Sequence, residues 1–469
     1  MLTMINIDDI IYAPASGSGG AISIIRLSGN GCVELAGSLL QLRRGRLEDA
    51  PGYSLHFANV PGIDDVLVSV FRAPKSYTGE DMVEISCHAS PFVQSELMRL
   101  LSEAGARLAE PGEFTRRAFL SGKMDLAQAE AVADIISSSS SAQHRVAFNQ
   151  LKGGFSNELS EIRVSLLELT ALMELELDFS EEDVEFADRG KLRTLLDGAV
   201  AKCKRLADSF RIGNALRNGV PVAIVGAPNS GKSTLLNALL NDDRAIVSDI
   251  PGTTRDTVEE TCIVGGILFR FIDTAGIRSA TDEIERLGIE RTMKKASEAD
   301  IILGLIDASN IHDQGSFEAS ARSIYSLVDT GHQKLILLLN KSDIWMVNKN
   351  VKLLNNFVLP ADIQSNGVTL LEISAKTGFG LEKLRESLVS ASGIASEVGT
   401  LVTNARHAQA LSDTAAALEK VRSGMNSGLP SDLLSEDLRT ALFHLGSITG
   451  QITTDEVLGE IFSKFCIGK

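Results

Sequence analysis

The chain has 469 residues, too many for one hydrophobic core, and its length points to about three domains. Lysines and arginines number 45 against 61 aspartates and glutamates, a formal net charge of −16. This balance excludes a broad basic footprint for nucleic acid and leaves RNA contact to local patches or a partner. The five cysteines form no C-x-x-C pair, so neither a disulfide framework nor a zinc site is indicated; no long apolar run or signal peptide is present, which points to a cytoplasmic protein without a membrane span.

Residues 1–120 are expected to form an α+β domain. Residues 21–27, 53–60, 66–72 and 82–86 are β-type runs, and Pro91-Phe92 opens a helix reaching Gly105, with Phe92, Val93, Leu97, Leu100 and Leu101 apolar. Pro111-Gly112 marks a boundary. No nucleophile–base pair stands out. Arg26, Glu84, His88 and Lys123 are candidates only for small-molecule binding, and the plainer reading of each is a surface or structural residue.

Over 121–216 the pattern turns helical and acidic. Leu126, Ala129, Ala133 and Ile136 share one helical face, and the serine run 137–141 is expected to be a helical break or a packed small-residue segment. Leu166, Leu169, Leu172 and Met173 share a second face, beside Glu168, Glu174, Glu176 and Asp178; these acids suit a solvated face better than a metal site.

Residues 217–390 carry the chemistry. The β-branched run 220–225 stops at Gly226, and a helical pattern with Leu235, Leu236, Leu239 and Leu240 begins at Gly231. Between them, Gly226-Ala227-Pro228-Asn229-Ser230-Gly231-Lys232-Ser233 fits the phosphate-binding loop G-x-x-x-x-G-K-[ST]. Its glycines let backbone N–H groups close on phosphate oxygens at a helix N-terminus. Lys232 can reach the β- and γ-phosphates and the Ser233 hydroxyl can ligate Mg²⁺; the nucleotide is expected on Asn229, Ser230, Gly231, Lys232, Ser233 and Thr234.

Four further stretches follow in order. Gly252-Thr253-Thr254-Arg255-Asp256 stands where a mobile switch loop belongs, and one threonine hydroxyl could complete a Mg²⁺ shell; Ser248, Asp249, Ile250 and Pro251 before it are, with Gly252, Thr253 and Thr254, further candidate nucleotide contacts. Asp273-Thr274-Ala275-Gly276 ends the apolar run 267–272, where a carboxylate can hold Mg²⁺ through water and the Gly276 N–H can meet a γ-phosphate. Asn340-Lys341-Ser342-Asp343 follows the run 334–339, and Ser374-Ala375-Lys376 supplies a backbone contact to the guanine carbonyl. The Asp343 carboxylate can accept from guanine N1–H and its N2 amino group, whereas adenine would set a lone pair against it. Motifs in this order resemble a translation-factor-type GTPase. Ile277 stands where Ras-like enzymes carry the water-orienting glutamine, so another group must activate water or hydrolysis is slow. Asp282, Glu283 and Glu285 are the acidic candidates. An arginine finger is worth about 10³ to 10⁵ in rate; a monovalent cation beside Asn229 could take that place, with Arg255 and Arg278 as rivals in cis and loop bracing as the other role for Asn229.

Residues 391–469 return to helical periodicity over 405–422 and 435–448. They have little core of their own and are expected to pack on 121–216, which makes the GTPase an insertion in one helical domain. The terminal Cys466-Ile467-Gly468-Lys469 lacks the aliphatic pair of a prenylation box, and Cys466 is either a functional or an idle thiol.

The combination GAPNSGKST, DIPGTTRD, DTAGIR, NKSD, SAK and FCIGK, together with IIRLSG and PGEFTRRAFLSGKMDLAQAEA, resembles the tRNA-modification GTPase family MnmE, also called TrmE, over essentially the whole chain. The resemblance implies a multidomain α/β protein: an N-terminal α+β folate-binding-like and dimerisation domain, an all-α helical domain, and a P-loop GTPase domain inserted in it. It implies a homodimer that works with an FAD-containing MnmG-type partner, in a heterotetramer or larger assembly, on the C5 position of the wobble uridine of certain tRNAs. It also implies GTP, Mg²⁺, K⁺ and 5-formyltetrahydrofolate or a related tetrahydrofolate as cofactors. Carried over by residue, folate contacts fall on Arg26, Glu84, Lys123 and Lys469. Mg²⁺ falls on Ser233 and Thr254, and K⁺ on Asn229, Ser248, Ile250 and Thr253. Water orientation falls on Glu285 and the modification thiol on Cys466. Residues 86–90 lack the glycines that the family carries there. Two other functions stay open on the residues alone: a regulatory or ribosome-assembly GTPase with an N-terminal docking module, and a one-carbon transferase whose GTPase is purely regulatory.

Overall fold

Strands form here where β-branched residues alternate or run together, and helices where the apolar period lengthens to three or four. The computed structural model describes residues 9–17, 20–178, 189–242, 260–272, 297–344, 357–394 and 399–468. It divides into two units: Met1–Ala133 with Gln150–Leu196 and Ala416–Lys469, and Asp134–Asn149 with Asp197–Ala415.

The first unit holds a seven-stranded sheet. Its strands are β1 (Ile11–Pro14), β2 (Ile22–Ser28), β3 (Gln41–Leu42), β4 (Ser54–Val60), β5 (Asp64–Phe71), β6 (Met82–His88) and β7 (Arg107–Leu108), in the order β3-β4-β5-β6-β2-β1-β7. All neighbours are antiparallel except β1 and β7. Ile25, Leu27, Val66, Val68, Val70, Val83 and Ile85 share a core with the helices Cys32–Leu39 and Pro91–Glu103, through Val33, Ala36, Leu97 and Leu101. The period of two turns Arg26 and Glu84 away from that core and makes them cross-strand partners. The helix Gly154–Asp178 buries Phe155, Leu159, Ile162, Leu166, Leu169 and Met173, and the helix Ser431–Thr449, which buries Leu438, Ala441 and Leu445, packs along it. A last helix, Asp455–Ser463, is capped by Thr454 and sets Leu458 and Phe462 against Leu126 and Ala129.

Pro111-Gly112 opens a further helix, Glu113–Leu120, that closes a buried charge network. Arg117 and Glu113 are only 3% and 1% exposed. Arg117 donates to Asp9 at 2.6 Å, to Glu113 at 3.2 Å and to Glu80 at 3.3 Å, and Arg107 bridges Asp9 and Glu113 at 2.8 and 2.7 Å. Burial pushes the Asp9 and Glu113 carboxyls up, but the hydrogen bonds and charges of Arg107 and Arg117 outweigh it and hold both below the ordinary carboxylate range.

The second unit holds a six-stranded sheet of β8 (Val220–Gly226), β9 (Glu260–Val264), β10 (Ile267–Phe271), β11 (Ile301–Asp307), β12 (Lys334–Asn340) and β13 (Thr369–Glu372), in the order β13-β12-β11-β8-β10-β9. Only β9 and β10 pair antiparallel. Continuous apolar runs such as Ile301–Asp307 and Lys334–Asn340 are those of strands covered on both faces, and two separate cores flank the sheet. In an open α/β sheet of this kind ligands bind at the carboxyl ends of the strands. Gly226, Asp307 and Asn340 end β8, β11 and β12 at that edge.

The charge network generates a stability prediction. Arg117→Met leaves Asp9 and Glu113 with Arg107 alone and Glu80 without its arginine, and should cost about 3 kcal/mol in denaturant unfolding at neutral pH. Because the folded carboxyls lie below their unfolded values, their contribution is complete above the ordinary carboxylate range. It is lost as pH falls through the lowered values, so the variant should show a flatter acid limb than the parent.

Candidate nucleotide-binding site

The loop after β8 takes its shape from three residues in unusual conformations. Gly226 has φ 159°, Gly231 φ 100°, and Asn229 between them φ 61°, a left-handed position that asparagine tolerates better than most residues. A Cβ on Gly226 would press on Leu305 O, and one on Gly231 would collide with Asn340 Nδ2. The helix Lys232–Asp242 begins directly after the loop. Lys232 Nζ donates to Gly226 O and Ala227 O, both at 2.9 Å, and burial pushes its pKa down. The ammonium is therefore held at the mouth of the loop by weak neutral acceptors, which an anionic oxygen would replace readily. Asn229 is exposed at the turn of the loop.

Asn340 joins three parts of the site. Its Nδ2 donates to Ser230 O at 2.8 Å, and its Oδ1 accepts from Ala375 N at 3.0 Å. Ser374 Oγ donates to Asp343 Oδ1 at 2.7 Å and accepts from Thr377 N at 3.2 Å, which fixes the plane of the Asp343 carboxylate. Asn229 to Thr234, Asn340, Lys341, Asp343 and Ser374 to Lys376, widely separated in sequence, thus lie in the loop after β8 and the start of its helix, at the end of β12, and in the segments that follow β12 and β13. Ser248 to Thr254, Asp273 to Gly276, Ile277, Glu285 and the rival residues Arg255, Arg278, Asp282 and Glu283 lie outside the described residues.

The other predicted cluster lies in the first unit. Arg26 grips Glu84 Oε1 through Nε at 2.9 Å and Nη2 at 2.8 Å, and its Nη1 donates to Gly468 O at 3.3 Å. Its guanidinium lies 5.5 Å from the Tyr77 ring centroid and 5.7 Å from that of Phe114. The tail approaches because Gly468, at φ 93°, has no Cβ to overlap Pro14 O, while Cys466 O accepts from Gly112 N at 3.4 Å. Lys123 is bonded elsewhere, to Pro74 O at 3.0 Å, and Lys469 lies outside the described residues. Cys32, Cys87, Cys203 and Cys262 are buried, and burial pushes the Cys87 thiol up; Cys466 is exposed. Tyr77, Phe114 and the Gly468 carbonyl are neighbours of Arg26 that the sequence did not single out as site residues, although Phe114 lies within the PGEF stretch and Gly468 within FCIGK.

Two family profiles cover the chain: "GTP-binding protein TrmE N-terminus" matches residues 10–123 and "MnmE helical domain" matches residues 126–466. The protein named tRNA modification GTPase MnmE in Christiangramia forsetii is 48% identical over 473 residues, covering 99% of this chain and all of that protein. The chain belongs to the MnmE family. Members with the same name in Bacteroides fragilis and Flavobacterium johnsoniae are 48% and 45% identical, covering 98% and 99% of this chain and 99% and 100% of those proteins. MnmE-family membership agrees with the fold seen here, an α+β N-terminal sheet, packed helices and a parallel nucleotide-type sheet. No helix among the described residues is long and apolar enough to cross a membrane.

Asn340 is the residue whose loss should be felt in both loops. Asn340→Ala leaves the Ser230 carbonyl and Ala375 N–H without their partner. It should weaken GTP binding by about thirtyfold, about 2 kcal/mol, in isothermal titration.

Proposed function

We propose that the chain is a GTP-hydrolysing enzyme of tRNA modification. With an FAD-containing MnmG-type partner and as a homodimer, it modifies C5 of the wobble uridine of certain tRNAs with an aminomethyl or carboxymethylaminomethyl group, in the cytoplasm. The observation that carries the reading is the base and phosphate pocket tied together by Asn340, in a chain 48% identical over its length to a tRNA modification GTPase. We assign residues 1–120 to the tetrahydrofolate site and dimerisation, 121–216 and 391–469 to the helical domain, and 217–390 to the GTPase.

Asp343 accepts from guanine N1–H and N2, with its plane set by Ser374. Lys232 exchanges its two carbonyl acceptors for phosphate oxygens, a gain because the new bonds are charge-assisted. Ser233 and Thr254 would hold Mg²⁺, which offsets phosphate charge when bound. Asn229, free to turn its carbonyl outward, would hold K⁺ with Ser248, Ile250 and Thr253, supplying positive charge beside the β–γ bridge where an arginine finger otherwise acts. Ile277 cannot hydrogen-bond water, and we assign water orientation to Glu285, acting through a bridging water because a carboxylate is repelled by the γ-phosphate directly. Arg26, Glu84, Lys123 and Lys469 would hold 5-formyltetrahydrofolate or a related tetrahydrofolate, the one-carbon source. The half-buried Tyr77 ring beside Arg26 suits a flat heterocycle, and the exposed Cys466 thiol lies on the tail that reaches Arg26.

Hydrolysis assays at fixed ionic strength test the GTPase half of this reading. The rate should be higher in K⁺ than in Na⁺ by about tenfold or more, and Glu285→Ala should lower it by more than about tenfold while GTP affinity changes less than about threefold. Equal rates in the two salts would remove the cation from the mechanism, and normal turnover by Glu285→Ala would move the water-orienting role to Glu283 or Asp282.

A further inference from the structure

At the end of β11, Asp307 has a carboxylate that is only 9% exposed and receives four donors. Its Oδ1 accepts from Ser309 N at 3.0 Å and Ser309 Oγ at 2.6 Å; its Oδ2 accepts from Asn310 Nδ2 at 3.2 Å and from Lys341 Nζ at 2.6 Å. Asp307 is the register partner of Asn340 across the β11–β12 ladder, so it lies beside the residue that ties the phosphate and base loops. Lys341 has φ 67°, one of three non-glycine residues with positive φ among those described, and this conformation sends its side chain back across the strand ends to Asp307. A lysine side chain has four rotatable bonds, and a buried, fourfold-held carboxylate at its tip removes most of that freedom. Lys341 lies between Asn340, which braces the loops, and Asp343, which reads the base.

We propose that Asp307 is a positioning residue of the base site: it holds the Lys341 side chain across the strand ends as a fixed wall against which a guanine base is seated. The proposal rests on the GTPase reading above and adds a residue to that site. It works by pre-organisation, since a wall already fixed need not be ordered when the nucleotide arrives. Burial pushes the Asp307 carboxyl up but its bonds to Lys341 and Ser309 hold it below the ordinary range, so the ion pair persists through neutral pH.

The test is a double-mutant cycle on the full chain, with GTP binding by isothermal titration and steady-state hydrolysis. Asp307→Asn and Lys341→Met should each weaken GTP binding about tenfold, with the loss in KM rather than kcat. The double variant should be within about twofold of either single one, because both changes remove the same contact. Ser309→Ala keeps both charges and loosens only the carboxylate. It should cost about threefold in the parent and nothing in Lys341→Met, so the coupling is measurable even where Asp307→Asn fails to fold. Parental GTP affinity in Asp307→Asn, or losses that multiply in the double variant, would overturn the inference while leaving the GTPase reading intact. Absence of GTP binding by the unaltered chain would overturn both.

Discussion

Asn340 donates to the Ser230 carbonyl and accepts from the Ala375 N–H, so one buried amide fixes the distance between the phosphate loop and the base loop. Each end of it must find its partner or leave a buried polar group unpaired, a cost of about 1–3 kcal/mol apiece. The surrounding features follow from that constraint. Gly231 must lack a Cβ because the amide occupies the space, and Asn229 turns left-handed so that the loop can curl past it. Ser374 reaches Asp343 from the loop after β13, one residue before Ala375. The mostly parallel sheet supplies the edge on which these few bonds act, and two apolar cores pack against β8, β11 and β12.

The first unit applies the same economy with charge in place of an amide. Arg117 and Glu113 are buried among Asp9, Glu80 and Arg107, and a network of this kind tolerates burial only while every member is paired. Its geometry brings the helix Glu113–Leu120 against β1, and Gly112 at the head of that helix leaves room for Phe462 and Phe465. The C-terminal tail is thereby delivered to Arg26 from the far end of the chain. Glycines stand at both contact points of that tail, Gly112 against Phe462 and Phe465 and Gly468 against Pro14.

How much of this is legible in the residues depends on the length of each signal. The strands that carry the nucleotide motifs are five to seven residues of β-branched or aliphatic sequence and are readable within a residue or so. β3 and β7, two residues each, and β1, four, are too short to show a period and form because β4, β1 and β2 respectively offer them a ladder. The helix Asp455–Ser463 is hidden because Gly459 interrupts nine residues that packing, not propensity, holds helical. The pairing of Arg26 with Glu84 is legible only as two candidate residues; what joins them is strand register, which no local pattern states. The charge network is not legible at all, since Asp9, Glu80 and Arg117 are brought together by folding from three separate stretches. Asp307 is hidden for the same reason, since in the sequence it looks like an ordinary strand-ending acid.

The central claim is that the nucleotide pocket of this chain drives chemistry on tRNA. It is tested most directly by nucleoside analysis of tRNA from cells in which the gene for this chain is deleted, then supplied with either the parent or Lys232→Ala. The C5-modified wobble uridine should disappear on deletion, return with the parent and stay absent with Lys232→Ala. Complete wobble-uridine modification in the Lys232→Ala cells would contradict the claim.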